Sequence, residues 1–257
     1  KLNGVRVDDA SGGSATTAVT ALDATLAADL STITTNSVTA VFANSGIFTG
    51  DLGTAVVTVS ANATLSTTAA IANGITINAG GASTVTALSA LDATLGVDLS
   101  TITTNSVTAA FDSSGTFTGD LGTAVVTVNN ASTLTTTAAI ANGVTISDGS
   151  GSNVTAITAL DATLGADLST ITTNSVTAAF ENSGTFTGDI GTAVVSIASG
   201  KSMSAEGAII DGKTIDGAGV LHITGKGDAN LELANVSTSG TLDVDITDGD
   251  TTLSNVG

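Results

Sequence analysis

The chain has no cysteine, proline, tryptophan or tyrosine among its 257 residues. Without cysteine, disulfides and thiolate metal sites are excluded, and cysteine usage gives no indication of the redox compartment. Without tryptophan and tyrosine, sugar binding by aromatic stacking is disfavoured. No apolar run reaches the roughly 18 residues that a transmembrane helix needs, so insertion into a membrane is not predicted.

Positive charge is also scarce. The chain has 23 acidic and 5 basic residues, a formal net charge of -18. No basic residue occurs between Arg6 and Lys201. Such a surface repels nucleic acid and anionic lipid, so neither is predicted as a partner and cations are the expected counterions. A threonine-rich chain without thiols fits an extracellular or cell-surface location, and the start at Lys1 predicts a segment of a longer precursor.

What the chain has in abundance is repetition. The segment Ala21-Leu22-Asp23-Ala24-Thr25-Leu26 returns at Ala90 and again, at the same interval of 69 positions, at Ala159. Such periodicity is typical of array architectures. The repeats run over about residues 3–73, 73–142 and 142–211, and residues 212–257 continue the pattern in degenerate form. We therefore expect one elongated module over residues 1–257.

An Asp or Asn marker divides each repeat into steps of 22, 22 and 25 positions. Beta-branched residues alternate within the steps, as in Ala55-Val56-Val57-Thr58-Val59, and Gly, Asn, Asp and Ser separate the alternating runs. Copies that keep one direction and spacing favour parallel stacking over hairpins. The predicted fold class is all-β, a parallel β-solenoid of about eleven rungs of 22–25 residues, each rung being one circuit of the chain.

One segment of each repeat has helical rather than strand spacing. Leu22, Leu26, Leu30 and Ile33 are spaced 4, 4 and 3 apart, and Thr20 with Asp23 imitates a capping box. This pattern predicts a short helix over residues 20–29 and its copies, as an insertion once per repeat.

The marker column offers two interpretations. Each Asp or Asn can accept hydrogen bonds from backbone N–H groups of its own turn. Alternatively, calcium is bound between rungs, because carboxylates about 5 Å apart repel by about 0.8 kcal/mol even in bulk water. The calcium candidates are Asp29, Asp51, Asp98, Asp120, Asp167, Asp189 and Asp211. No other cofactor is predicted.

Few residues of the chain are suited to catalysis. The single histidine, His222, lies among alternating residues and is predicted to be a strand residue, and no serine lies in a nucleophile-elbow motif. No catalytic residue is nominated. Threonine rows such as residues 135–137 invite comparison with ice-binding solenoids, but the rungs differ from one another within each repeat, which disfavours that function.

The repeats, from Ala21-Leu22-Asp23-Ala24 to Phe48-Thr49-Gly50-Asp51, resemble those of very large secreted bacterial surface proteins, the repetitive adhesins and surface-layer or fibre proteins. The resemblance covers about residues 15–215 and lacks the calcium-binding nonapeptide and an adhesive tip. It implies export and a role in attachment or surface coating. We expect a non-enzymatic structural or adhesive protein forming a rod, filament or surface layer, with end-to-end or lateral self-association and cell-surface polysaccharide as candidate partners. The alternatives are a polysaccharide-processing β-helix enzyme and a phage tail-fibre segment.

Overall fold

The strands of the chain pair in parallel. A computed structural model describes residues 6–8, 14–225, 230–245 and 252–254. It is an all-β solenoid of about 11 rungs with 9% helix, which confirms the predicted fold class. The chain divides into two compact units, unit 1 (Lys1–Asp112 and Phe117–Thr127) and unit 2 (Ser113–Thr116 and Val128–Gly257).

Unit 1 is built from two main sheets that the chain visits in turn. One has the order β10-β8-β6-β4-β2, in the other β5, β7, β9 and β11 pair successively, and β1 pairs with β3. The strands are β1 (Val7–Asp8), β2 (Thr16–Val19), β3 (Ile33–Thr34), β4 (Ser37–Phe42), β5 (Gly46–Ile47), β6 (Val56–Val59), β7 (Thr64–Thr68), β8 (Ile77–Ala79), β9 (Val85–Ser89), β10 (Ile102–Thr103) and β11 (Ser106–Phe111).

Unit 2 repeats this alternation. Its main sheets have the orders β12-β14-β16-β18-β20-β22 and β19-β21-β23-β25, and β15 pairs with β17 and β24 with β26. The strand β13 (Val125–Val128) begins in unit 1 and ends at the first residue of the second part of unit 2. The remaining strands are β12 (Gly115–Thr116), β14 (Thr133–Thr137), β15 (Ile146–Asp148), β16 (Val154–Thr158), β17 (Ile171–Thr172), β18 (Ser175–Phe180), β19 (Gly184–Phe186), β20 (Val194–Ile197), β21 (Ser202–Glu206), β22 (Ile215–Gly217), β23 (Val220–Thr224), β24 (Asn230–Glu232), β25 (Leu242–Asp245) and β26 (Thr252–Ser254).

The core follows from the period of two along each strand. In β4, Val38, Ala40 and Phe42 are buried, while Ser37 and Thr39 are exposed. Successive side chains of a strand point to opposite faces, so the apolar half of each alternating run faces the interior. All six phenylalanines are buried, at 1% exposure or less, and they are the largest side chains of the core.

The helices differ from those predicted. The segment expected to be helical over residues 20–29 forms only a 3₁₀ turn at Leu22–Ala24, and its N-cap residue Ala21 makes no side-chain capping bond, so the capping-box prediction is wrong. Its copies are Leu91–Ala93 and Leu160–Ala162. The α-helices lie elsewhere in the repeat, as single turns α1 (Ala69–Ala72), α2 (Ala138–Ala141) and α3 (Gly207–Ile210).

Along one sheet, the register offsets between paired strands do not add up to the sequence repeat. Along the first sheet of unit 1 the paired residues Thr39↔Val56, Val57↔Ile77 and Ile77↔Ile102 are 17, 20 and 25 positions apart, together 62. Three successive offsets along this sheet therefore fall seven positions short of the 69-residue repeat, and β11, the copy of β4, pairs in a different sheet. The copies β4 and β11 therefore do not lie in one sheet.

Candidate functional site

The Asp/Asn marker column joins adjacent rungs. Asp29 pairs with Asp51 in a parallel bridge, as Asp98 does with Asp120 and Asp167 with Asp189. Asn73 Oδ1 accepts a hydrogen bond from Asp98 N at 2.9 Å, and Gly74 N donates to the Asp98 carbonyl oxygen at 2.9 Å. For these pairs, markers one step apart lie one rung apart, as predicted.

The aspartates of the column also close their own turns. Asp51 Oδ1 accepts from Gly53 N at 2.8 Å. Asp98 Oδ1 accepts from Ser100 N at 2.9 Å and from Ser100 Oγ at 2.6 Å. Each bond reaches two residues along the chain, which is the geometry of an Asx turn. The same bond is made at Asp29, Asp120, Asp167 and Asp189. These contacts are the ones that the first interpretation predicts.

These bonds favour the charged carboxylates. The hydroxyl of Ser100 lowers the pKa of Asp98, with a further contribution from Ser100 N. The hydroxyl of Ser169 lowers the pKa of Asp167 in the same way. Both aspartates are therefore ionised at neutral pH, and neither is a candidate general acid.

Calcium binding at the column stays a prediction. One carboxylate oxygen of each Asx-turn aspartate is used within the protein, and Asp211 Oδ1 accepts from Glu232 N at 2.8 Å. Among the described residues, no three His, Asp or Glu side chains come together as a metal site. A depression of about 330 Å³ adjoins the column, lined by Gly50, Asp51, Gly53, Ala70, Ile71, Asn73 and Ile75.

The third repeat changes the charge of the column. Asp211 stands where the first repeat has Asn73, and Lys213 stands where it has Ile75. Lys213 Nζ donates to the carbonyl oxygen of Gly191 at 2.7 Å, one rung earlier. The extra carboxylate of Asp211 is thus accompanied by the ammonium of Lys213. In the first two repeats, the uncharged Asn73 and Asn142 occupy this position of the column after each pair of aspartates.

A second polar contact between rungs was missed by the sequence reasoning, which placed Asp23 in a capping box. Its copy Asp161 accepts from Glu181 N at 2.8 Å and from Asn182 Nδ2 at 2.7 Å, and Asp23 makes the equivalent bonds to Ala43 and Asn44. Burial opposes ionisation of Asp161, but the hydrogen bonds from Asn182 and Glu181 outweigh it and lower the pKa.

His222 is a strand residue, as predicted. It lies on β23 with Nδ1 3.0 Å from Asp243 Oδ2 on β25. Ser204 lies in register with it on the other side, on β21, but no hydrogen bond joins the serine hydroxyl to the ring. The pair is surface-exposed, with 33% of the His222 side chain accessible.

None of the described helices is long and apolar enough to cross a membrane. Comparison of the chain with protein-family models, with curated protein sequences and with solved structures finds no match in any of the three.

Proposed function

We propose that the protein is a non-enzymatic structural or adhesive component of an extracellular surface, acting as a stiff segment of a rod, filament or layer. The parallel β-solenoid is compatible with a structural or fibre-like role. The proposal goes further, to an exported protein whose contribution is mechanical. It draws on the resemblance of the repeats to those of secreted bacterial surface proteins.

The observation that carries the proposal is the use of the polar side chains. At equivalent positions of the three repeats, Asp23, Asp92 and Asp161 bind the next rung. Asn73 and Asn142 do the same through the backbone N–H of an aspartate. Side chains that could otherwise perform chemistry thus hold rungs together. Each such bond is worth about 0.5–1.5 kcal/mol, and their repetition adds to the ladders of the parallel strands.

The charge of the chain supports a role outside the cell as part of an assembly. With a net charge of -18, copies repel one another at low ionic strength and attract cations. Association of copies therefore depends on salt or divalent ions, and calcium at the aspartate column would act in the same direction.

Electron microscopy of the purified chain tests the proposal. We expect elongated particles that associate end to end or laterally when calcium or salt is added, and no release of reducing sugar from acidic polysaccharides. Sedimentation analysis in parallel gives the mass in solution. Release of reducing sugar would contradict the proposal in favour of a polysaccharide-processing enzyme, and an intertwined trimer would contradict it in favour of a tail-fibre segment.

A further inference from the structure

Two Asn-Gly pairs of the marker column have a sequence that is prone to spontaneous deamidation. They are Asn73-Gly74 in unit 1 and Asn142-Gly143 in unit 2, and a third pair, Asn3-Gly4, lies outside the described residues. Glycine promotes the reaction because it has no side chain to keep its backbone nitrogen away from the preceding asparagine. Both described pairs are exposed, so water and hydroxide reach them.

Deamidation needs no enzyme. The backbone nitrogen of the glycine loses its proton and attacks Cγ of the asparagine. A bond forms between these two atoms, the bond from Cγ to the side-chain nitrogen breaks, and ammonia leaves. Water then opens the resulting succinimide ring at either carbonyl, which gives aspartate or isoaspartate. The reaction therefore requires a glycine N–H that is free to lose its proton and an asparagine side chain that can turn towards it.

The next rung holds both reacting groups. Gly74 N donates to the carbonyl oxygen of Asp98 at 2.9 Å, and Asn73 Oδ1 accepts from Asp98 N at 2.9 Å. The second pair makes the same two bonds to Asp167, at 2.9 and 2.8 Å. In both units the attacking nitrogen is thus engaged as a donor, and the side-chain carbonyl that it would attack is engaged as an acceptor.

The backbone conformation also opposes the reaction. Ring closure brings the glycine nitrogen onto the same side of the Cα–C bond as Cβ of the asparagine. The ψ angles of 115° at Asn73 and 113° at Asn142 hold these two atoms well apart. Rotation about the Cα–C bond of Asn73 would carry the Gly74 N–H away from the Asp98 carbonyl oxygen. Neither pair can therefore react while its two bonds to the next rung are intact.

We propose that Asn73 and Asn142 are sites of spontaneous deamidation that the next rung keeps unreactive, so that each reacts only when its contact with that rung opens. Local opening of this kind costs free energy, and the cost differs from one part of a structure to another. Deamidation therefore records, in each unit separately, how often the contact opens. The reaction does not depend on the proposed function.

The third repeat shows that an aspartate is accommodated at this position. Asp211 Oδ1 accepts from Glu232 N at 2.8 Å, and Gly212 N donates to the Glu232 carbonyl oxygen at 3.1 Å. An aspartate formed by deamidation can therefore keep both bonds. Isoaspartate lengthens the backbone by one carbon atom and loses this register, so that product leaves the contact open.

Deamidation rates of the purified chain at mildly alkaline pH test the proposal. No basic residue occurs between Arg6 and Lys201, so peptides are released by cleavage at aspartate rather than by trypsin. Tandem mass spectrometry then follows the amide-to-acid conversion at Asn73 and Asn142 in the same sample. The folded wild type is expected to react at least about tenfold more slowly at both sites than the chain in urea.

Asp98→Ala is the variant that loosens one of the two contacts. The Asp98 carboxylate accepts from Ser100 N and Ser100 Oγ at 2.9 and 2.6 Å, and this turn positions the backbone groups that bind the first Asn-Gly pair. Asn73 is expected to react about tenfold faster in this variant, while Asn142 keeps the wild-type rate. The matched control is Asp98→Asn, which removes the charge but keeps an oxygen that accepts from Ser100, and both rates are expected to stay unchanged.

Asp167→Ala is the reciprocal variant and is expected to accelerate Asn142 alone. Circular dichroism establishes that the variants fold. The proposal is overturned if the folded wild type reacts at either site as fast as the chain in urea. It is also overturned if folded Asp98→Ala leaves Asn73 unchanged, accelerates both sites equally, or is matched by Asp98→Asn. If Asp98→Ala does not fold, the comparison of folded and unfolded wild type decides.

Discussion

Gly119 is expected to be indispensable, because the preceding rung leaves no room for a side chain. A Cβ at this position would lie 2.0 Å from the carbonyl oxygen of Val97, one rung earlier. The same oxygen accepts a hydrogen bond from Asp120 N at 2.9 Å, so the two rungs cannot separate without losing it. Gly119→Ala therefore overpacks the two rungs and disrupts that bond.

The size of the effect follows from these two terms. Overpacking costs about 1–3 kcal/mol and a lost backbone hydrogen bond about 0.5–1.5 kcal/mol, while replacing glycine by alanine returns about 0.4–1 kcal/mol through the unfolded chain. The net destabilisation is therefore about 0.5–4 kcal/mol. A central value of about 2 kcal/mol corresponds to a fall in melting temperature of about 5 °C. Thermal and urea unfolding followed by circular dichroism measure it.

Gly96→Ala is the matched control. A Cβ there would meet only Thr118 Oγ1 at 3.8 Å, and the first repeat already has Ala27 at this position. We expect it to be neutral or slightly stabilising. If Gly119→Ala melted within about 1 °C of Gly96→Ala, the close approach of the rungs at Gly119 would be wrong, and with it the parallel stacking at the marker column.

Three further changes probe the contacts between rungs and the core. Asp161→Asn is expected to cost about 1 kcal/mol at neutral pH. The pKa of Asp161 in the folded protein lies below its ordinary value of 3.8, so the stability that the carboxylate contributes is lost as pH falls below that value. The melting temperature of the variant should therefore fall less steeply with pH in this range than that of the wild type. Equal slopes of melting temperature against pH would argue against this role of Asp161. Asn73→Asp should lower the melting temperature at low salt but little at high salt, and adding Ile75→Lys should restore it; a salt-independent loss would point away from charge repulsion. Phe111→Ala should cost about 3–5 kcal/mol by urea unfolding, and a cost below about 1 kcal/mol would mean that the ring is not in the core.

The fold class could be predicted because the sequence has two regular periods, one within strands and one between rungs. Alternation by two gives strands with one buried face, and a marker that recurs every 22 to 25 positions gives the rung. The pairing of Asp29 with Asp51 follows from the second period. Both the alternation and the marker period can be read from the sequence alone, without knowledge of the tertiary structure.

The remaining features depend on contacts that no period reveals. The shift of a repeat to another sheet accompanies unequal register offsets between successive strands, which are 17, 20 and 25 positions. The helix α1 is one turn long, too short for a helical period to show in the sequence, and its cap at Thr68 is visible only once the helix is known. Asp23 resembles a local cap, but its partners lie 20 and 21 positions away.

Positions that contact the neighbouring rung and outward strand positions differ in how freely their residues can change. Between-rung positions such as Asp161 and Gly119 are constrained by the neighbouring rung and must be kept in every repeat. Outward strand positions do change: Thr135 and Thr177 lie in an uncharged row on one sheet of unit 2, whereas His222 and Asp243 make a hydrogen-bonded pair on another. A scaffold of this kind can therefore change its surface by exchanging outward residues, while positions such as Asp161 and Gly119 keep their contacts with the neighbouring rung.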